Sequence, residues 1–211
     1  MKKTFTIGTS TIPGEIILPH LMPAILKRSP DISLKLVVTN SLRTFESVRK
    51  GEFEVGIIGT RYESDEVEFQ TVIQDDRLVV IAPKEDPLAQ KKGLSIDDLR
   101  GQPFVNREAG SGTRATYEQA FKEAGLSLKD LNIVAEISDT EGVIQAVQAG
   151  TGLAVVSEVA ARTSDCCGDI AILELPIQMA RNFYIITRKT STPSPLTQEV
   201  IGYLTEAIRQ R

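Results

Sequence analysis

The segment Arg107-Glu108-Ala109-Gly110-Ser111-Gly112-Thr113-Arg114 holds two glycines, two hydroxyls and two arginines within eight residues. Glycine lets a backbone approach a ligand closely. A guanidinium forks onto a carboxylate, sulfate or phosphate. Capping a helix needs neither a glycine pair nor an arginine, so this run reads as a binding loop for a small anion. It is not a Walker loop, because the lysine of Gly-x-x-x-x-Gly-Lys is missing. Three shorter runs offer related chemistry: Gly8-Thr9-Ser10-Thr11, Thr39-Asn40-Ser41 and Ser138-Asp139-Thr140-Glu141. Each taken alone is explained by capping, and Ser138 with Glu141 reads as a capping box. All four runs, however, lie where a strand pattern gives way to a helix pattern. In open parallel sheets that is where ligands sit, beside helix N-termini whose free N–H groups favour anions.

Other chemistries lack their residues. No Gly-x-Ser-x-Gly elbow is present. The single histidine, His20, lies apart from any acid or nucleophile pattern and rules out a multi-histidine zinc site. Asp75-Asp76 and Asp97-Asp98 read as turn and helix-start residues rather than paired acid/base carboxylates. Cys166 and Cys167 are neighbours and cannot staple distant parts of the chain, so they read as free thiols in a reducing compartment. No catalytic residue, metal or cofactor is therefore expected. The net charge of −4, from 24 Lys and Arg against 28 Asp and Glu, argues against this chain itself gripping nucleic acid. No signal peptide and no apolar run near membrane-spanning length is seen, which places the protein in the cytoplasm, off the membrane.

The elements that must position these runs follow from periodicity. Strands are predicted over 4–8, 33–39, 54–59, 67–74 and 77–82, the last two joined by a tight Asp75-Asp76 turn. Helices are predicted over 14–28 and 41–50. After the proline-stiffened stretch 83–87 the pattern restarts. It gives strands over 103–106, 132–137, 153–156, 170–174 and 182–188, and helices over 112–124 and 139–149. A final helix opens with Ser194 as cap and Pro195 at its first position. The class is α/β: two Rossmann-like units joined by two crossover segments, near Ala82 and within 161–169. The expected boundaries are 1–81 with 164–211 for one unit and 82–163 for the other, with a cleft between them. In the first helix, apolar residues from Ile16 to Leu26 cover more than one face. A helix on its own sheet needs one stripe, so either flanking elements bury the second face or another subunit does.

Several segments together resemble the effector-binding domain of LysR-type transcriptional regulators. They are Ile7-Gly8-Thr9-Ser10-Thr11-Ile12-Pro13-Gly14 with Leu18-Pro19, then Arg49-Lys50-Gly51-Glu52-Phe53-Glu54-Val55-Gly56-Ile57. Arg107-Glu108 with Gly110-Ser111-Gly112-Thr113-Arg114 follows, and then Gln148-Ala149-Gly150-Thr151-Gly152-Leu153-Ala154-Val155. The resemblance implies a two-lobed, type 2 periplasmic-binding-protein-like fold, a central ligand cleft and a homodimer, assembled further in a full-length regulator. Ligand contacts carried over from the family fall on Ser10, Thr11, Asn40, Ser41, Arg107, Ser111, Gly112, Thr113 and Arg114, with Thr140 as a further position. The implied effector is a small anionic metabolite or inorganic anion. DNA would be read only by the family's N-terminal winged helix-turn-helix, whose pattern this chain lacks. A free cytoplasmic solute-binding protein and an enzyme on the same fold are the competing readings.

Overall fold

Apolar and β-branched residues recur with a two-residue period in the extended runs and near 3.6 between them, so strands and helices alternate and pack face to face. The computed structural model describes residues 2–164, 168–190 and 192–209. Its elements are β1 (Lys3–Ser10), α1 (Leu18–Arg28), β2 (Ile32–Thr39), α2 (Ser41–Arg49), β3 (Val55–Ile58), β4 (Val67–Pro83), α3 (Pro87–Gln90) and β5 (Pro103–Arg107). There follow α4 (Gly112–Glu123), β6 (Asn132–Ile137), α5 (Thr140–Gln148), β7 (Ala154–Ser157), α6 (Glu158–Ser164), β8 (Ile170–Leu173), β9 (Ala180–Arg188) and α7 (Pro195–Arg209). A π-helical turn, Pro13–Ile17, runs directly into α1.

Two compact units result: Met1–Gln74 with Asn182–Arg211, and Asp75–Arg181. In the first, β1 lies between β2 and β3, parallel to both, with Ser10 opposite Thr39 and Gly8 opposite Gly56. β9 runs antiparallel to β3, and β4 lies beyond it. α1 and α7 pack together, and Leu18, Ile25, Val200 and Leu204 are buried. In the second unit, β7 and β8 flank β4 antiparallel, so that Val80 faces both Val155 and Leu173. β5 and β6 form a parallel pair, and Phe104 of β5 bridges to Leu153. That close approach requires Gly152. Its φ is +150°, and a Cβ there would lie 2.4 Å from the Pro103 carbonyl oxygen. Phe104, Tyr117 and Phe121 fill this core edge to face or tilted.

The structure departs from the sequence expectations at identifiable places. The turn predicted at Asp75-Asp76 is absent, because β4 runs through as one strand. Asp75 alone takes a left-handed φ of +58°, which aspartate tolerates better than β-branched residues. A turn signal is thus spent on one residue within a continuous strand. The passages between units fall inside β4, at Gln74/Asp75, and inside β9, at Arg181/Asn182; the sequence places them near Ala82 and in 161–169. The cap of α5 is Asp139, whose carboxylate accepts from Gly142 N at 2.6 Å, not Ser138. On α1, Ile25 faces the core at 1% exposure, whereas Met22 and Leu26, with Ile16 of the π-helical turn before it, are half-buried. Short helices at α3 and α6 escape periodicity because each is too brief to show it. Cys166-Cys167 lie outside the described residues.

Candidate functional site

The first unit gathers its hydroxyls where β1 and β2 end. Thr9, Ser10 and Thr11 are buried as β1 passes into the helical run, and Thr9 Oγ1 donates to the Ser10 carbonyl at 3.0 Å. Gly14 seats that run tightly: a Cβ there would come within 2.5 Å of Thr9 Cγ2 and 2.8 Å of Val38 Cγ2. At the end of β2, Asn40 caps α2 by accepting from Arg43 N at 2.9 Å. Ser41 Oγ accepts from Gly59 N at 3.4 Å, and the Thr39 and Thr44 hydroxyls meet at 2.8 Å. Val38 and Leu42, on either side of this run, are 39% and 41% exposed. A polar patch bordered by exposed apolar carbon suits a small organic molecule better than a bare ion.

In the second unit the loop from β5 into α4 is closed on itself. Gly110 takes φ +88°, the left-handed step that turns the chain into the helix. Ser111 caps α4, its hydroxyl accepting from Arg114 N at 3.4 Å. Gly112 and Thr113 form the buried first turn. The Arg114 guanidinium donates back to the Arg107 carbonyl at 3.0 Å, tying the two ends of the loop together. Arg114 also meets Glu118 at 2.6 Å and Glu136 at 3.0 Å. Burial lowers its pKa and these carboxylates, Glu118 first, more than offset that, so it lies above the usual arginine value. Arg107 has only 2% of its side chain exposed. Its guanidinium donates to Glu108 at 3.1 Å, to Thr140 Oγ1 at 3.1 Å and to the Ser138 carbonyl at 3.1 Å. The structure therefore brings Arg107, Ser111–Arg114 and Thr140 into one connected group, and both guanidiniums already meet carboxylates of this chain.

Three residues of this neighbourhood carry no sequence signal. Arg181 Nε donates to Asp76 Oδ2 at 2.9 Å and its terminal nitrogen donates to Thr113 Oγ1 at 3.0 Å, while Ser157 Oγ donates to Asp76 Oδ1 at 2.7 Å. Burial lowers the Arg181 pKa, and the adjacent Asp76 carboxylate counters it. The partners lie 105, 68 and 81 residues apart in sequence, beyond any motif. Tyr117 donates to Asn106 Oδ1 beneath the loop, and burial raises its phenol pKa far above the ordinary range. Among the described residues, no group of three or more His, Cys, Asp or Glu is placed to hold a metal ion. No described helix is long and apolar enough to cross a membrane.

The family model of the LysR substrate binding domain matches residues 1–209. The chain belongs to this family. The LysR substrate-binding domain is 33% identical over 190 residues to an uncharacterized HTH-type transcriptional regulator of Methanocaldococcus jannaschii, covering 89% of the chain and 64% of that protein. It is 31% identical over 198 residues to the HTH-type transcriptional regulator CysL of Bacillus subtilis, covering 94% and 63%. The domain thus spans less than two thirds of the length of these relatives. Its fold matches the regulatory domain of CcmR from Synechocystis, solved in complex with 2-PG, with a TM-score of 0.88 at 24% identity over 99% and 98% of the two chains. The architecture is the two-lobed, type 2 periplasmic-binding-protein-like fold of LysR effector-binding domains.

Proposed function

We propose that this LysR substrate-binding domain senses a small organic anion and passes its presence to the rest of a longer, cytoplasmic transcription regulator, without catalysis. The observation that supports this best is the closed loop 107–114. It presents the first turn of a twelve-residue helix, α4, together with buried hydroxyls, and its arginines are held by partners of this chain. An anion would be held by the free N–H groups of that turn and by Ser111 and Thr113, with Arg107 fixing Thr140 and Arg114 bracing the loop. The first unit carries a polar patch of its own, Ser10, Thr11, Asn40 and Ser41 beside Val38 and Leu42, suited to a small organic ligand. The 2-PG bound to CcmR, a phosphorylated carboxylate, is an effector of this chemical type.

A thermal-shift screen tests the assignment. Sulfate, phosphate and 2-phosphoglycolate are expected to raise the melting temperature; at 100-fold excess over Kd, a specific ligand adds about 2.7 kcal/mol. Stabilisation by neutral or cationic compounds alone would refute the anion preference. DNA contacts are assigned to other parts of the regulator, in keeping with the charge of −4. The half-buried apolar side chains of Met22 and Leu26 on α1, and of Ile16 in the π-helical turn before it, favour a homodimer as the assembly of this domain.

A further inference from the structure

Asp76, Thr113, Ser157 and Arg181 form one buried chain of hydrogen bonds within the second unit. The Asp76 and Arg181 side chains are 4% and 7% exposed. Their positions along the chain are unusual. Asp76 is the second residue after the chain enters this unit on β4, and Arg181 is the last before it leaves on β9. Thr113 stands in the first turn of α4. One guanidinium, carried on the outgoing strand, thus bonds to the incoming strand and to the helix start. A buried ion pair is a poor source of net stability compared with apolar packing. What the planar guanidinium supplies is fixed geometry toward several partners at once.

We infer that Arg181 is a positioning residue for effector binding: through Thr113 it sets the first turn of α4, and through Asp76 it ties that turn to both strands that pass between the units. The inference rests on the reading of α4 as the anion-binding helix. Arg181 itself need not touch the anion. An anion that favours one arrangement of the first turn then favours the matching arrangement of β4 and β9, and the coupling works equally in reverse.

Amide hydrogen exchange of the whole chain, with and without sulfate, tests the link. Asp76→Asn leaves α4 chemically untouched, yet it is expected to speed exchange of the amides of residues 113–116 about tenfold and to weaken sulfate binding by a similar factor, the value of one charge-assisted hydrogen bond. Thr113→Val is expected to speed exchange at residues 76–78 in the same way. Arg181→Lys keeps the charge but loses the fork, so it should restore the melting temperature relative to Arg181→Ala without restoring slow exchange at 113–116. A folded Asp76→Asn chain with wild-type exchange at 113–116 would overturn the inference. Should Asp76→Asn fail to fold, wild-type exchange at 76–78 in Thr113→Val overturns it equally. Coupled exchange in a chain that binds neither sulfate nor phosphate would keep the link and remove the anion reading; sulfate binding without coupled exchange would do the reverse.

Discussion

Glu54 shows how one carboxylate can serve an element distant in sequence. It accepts from the Ser194 hydroxyl at 2.8 Å and from the Thr197 hydroxyl at the start of α7. The Thr197 hydrogen bond, then that of Ser194, holds its pKa below the usual glutamate range against the opposing effect of burial. A depressed folded pKa means that stability is present above the unfolded value, near 4.3, and is lost as pH falls through the lower folded value. Glu54→Gln is therefore expected to lower the urea midpoint at neutral pH, with the gap to wild type narrowing at about pH 3. Equal gaps at both pH values would refute this origin. At the same scale, the binding loop is legible in sequence because its two glycines and two arginines exceed what a cap needs. The roles of those arginines are not legible: Glu108, Glu118 and Glu136 each meet one of them, and only the fold brings Glu136 near.

Helix starts decide which residues of a polar run do structural work. In Ser138-Asp139-Thr140-Glu141 the cap candidates Ser138, Asp139 and Thr140 are interchangeable by composition, and only backbone geometry selects Asp139 as cap. Asp139→Ala should cost about 1 kcal/mol in thermal or urea unfolding. Ser138→Ala should cost little, and the opposite ranking would contradict the assignment. Strands over 33–39 and 132–137 and the helices α2, α4 and α5 are legible because each carries enough turns or alternations to show its period. β4 is misread because an Asp-Asp pair carries the same local signal whether the chain reverses or takes one left-handed residue and continues.

Across the whole molecule, the two-unit plan follows from the repeated strand-helix pattern. The division points do not: the Asp75-Asp76 signal beside Gln74/Asp75 reads as a hairpin turn, and no composition change marks Arg181/Asn182 as a passage. If α1 pairs two copies, Met22→Asp should yield a folded monomer by sedimentation at micromolar concentration, because Met22 is half-buried. Ile25→Asp should instead disrupt the core. A wild-type monomer, or a Met22→Asp chain that remains dimeric, would exclude that face. β9 sits between β3 and β4 in the order of strands. A ribosome delivers β3 and β4 long before β9, so the first unit emerges with a gap in its sheet that only the segment beginning at Asn182 can fill. The second unit, 75–181, is continuous and complete by then. Synthesis order thus makes the inserted unit the natural first folder, and it makes β1, β2 and β3 the part that waits, exposed, until β9 is made.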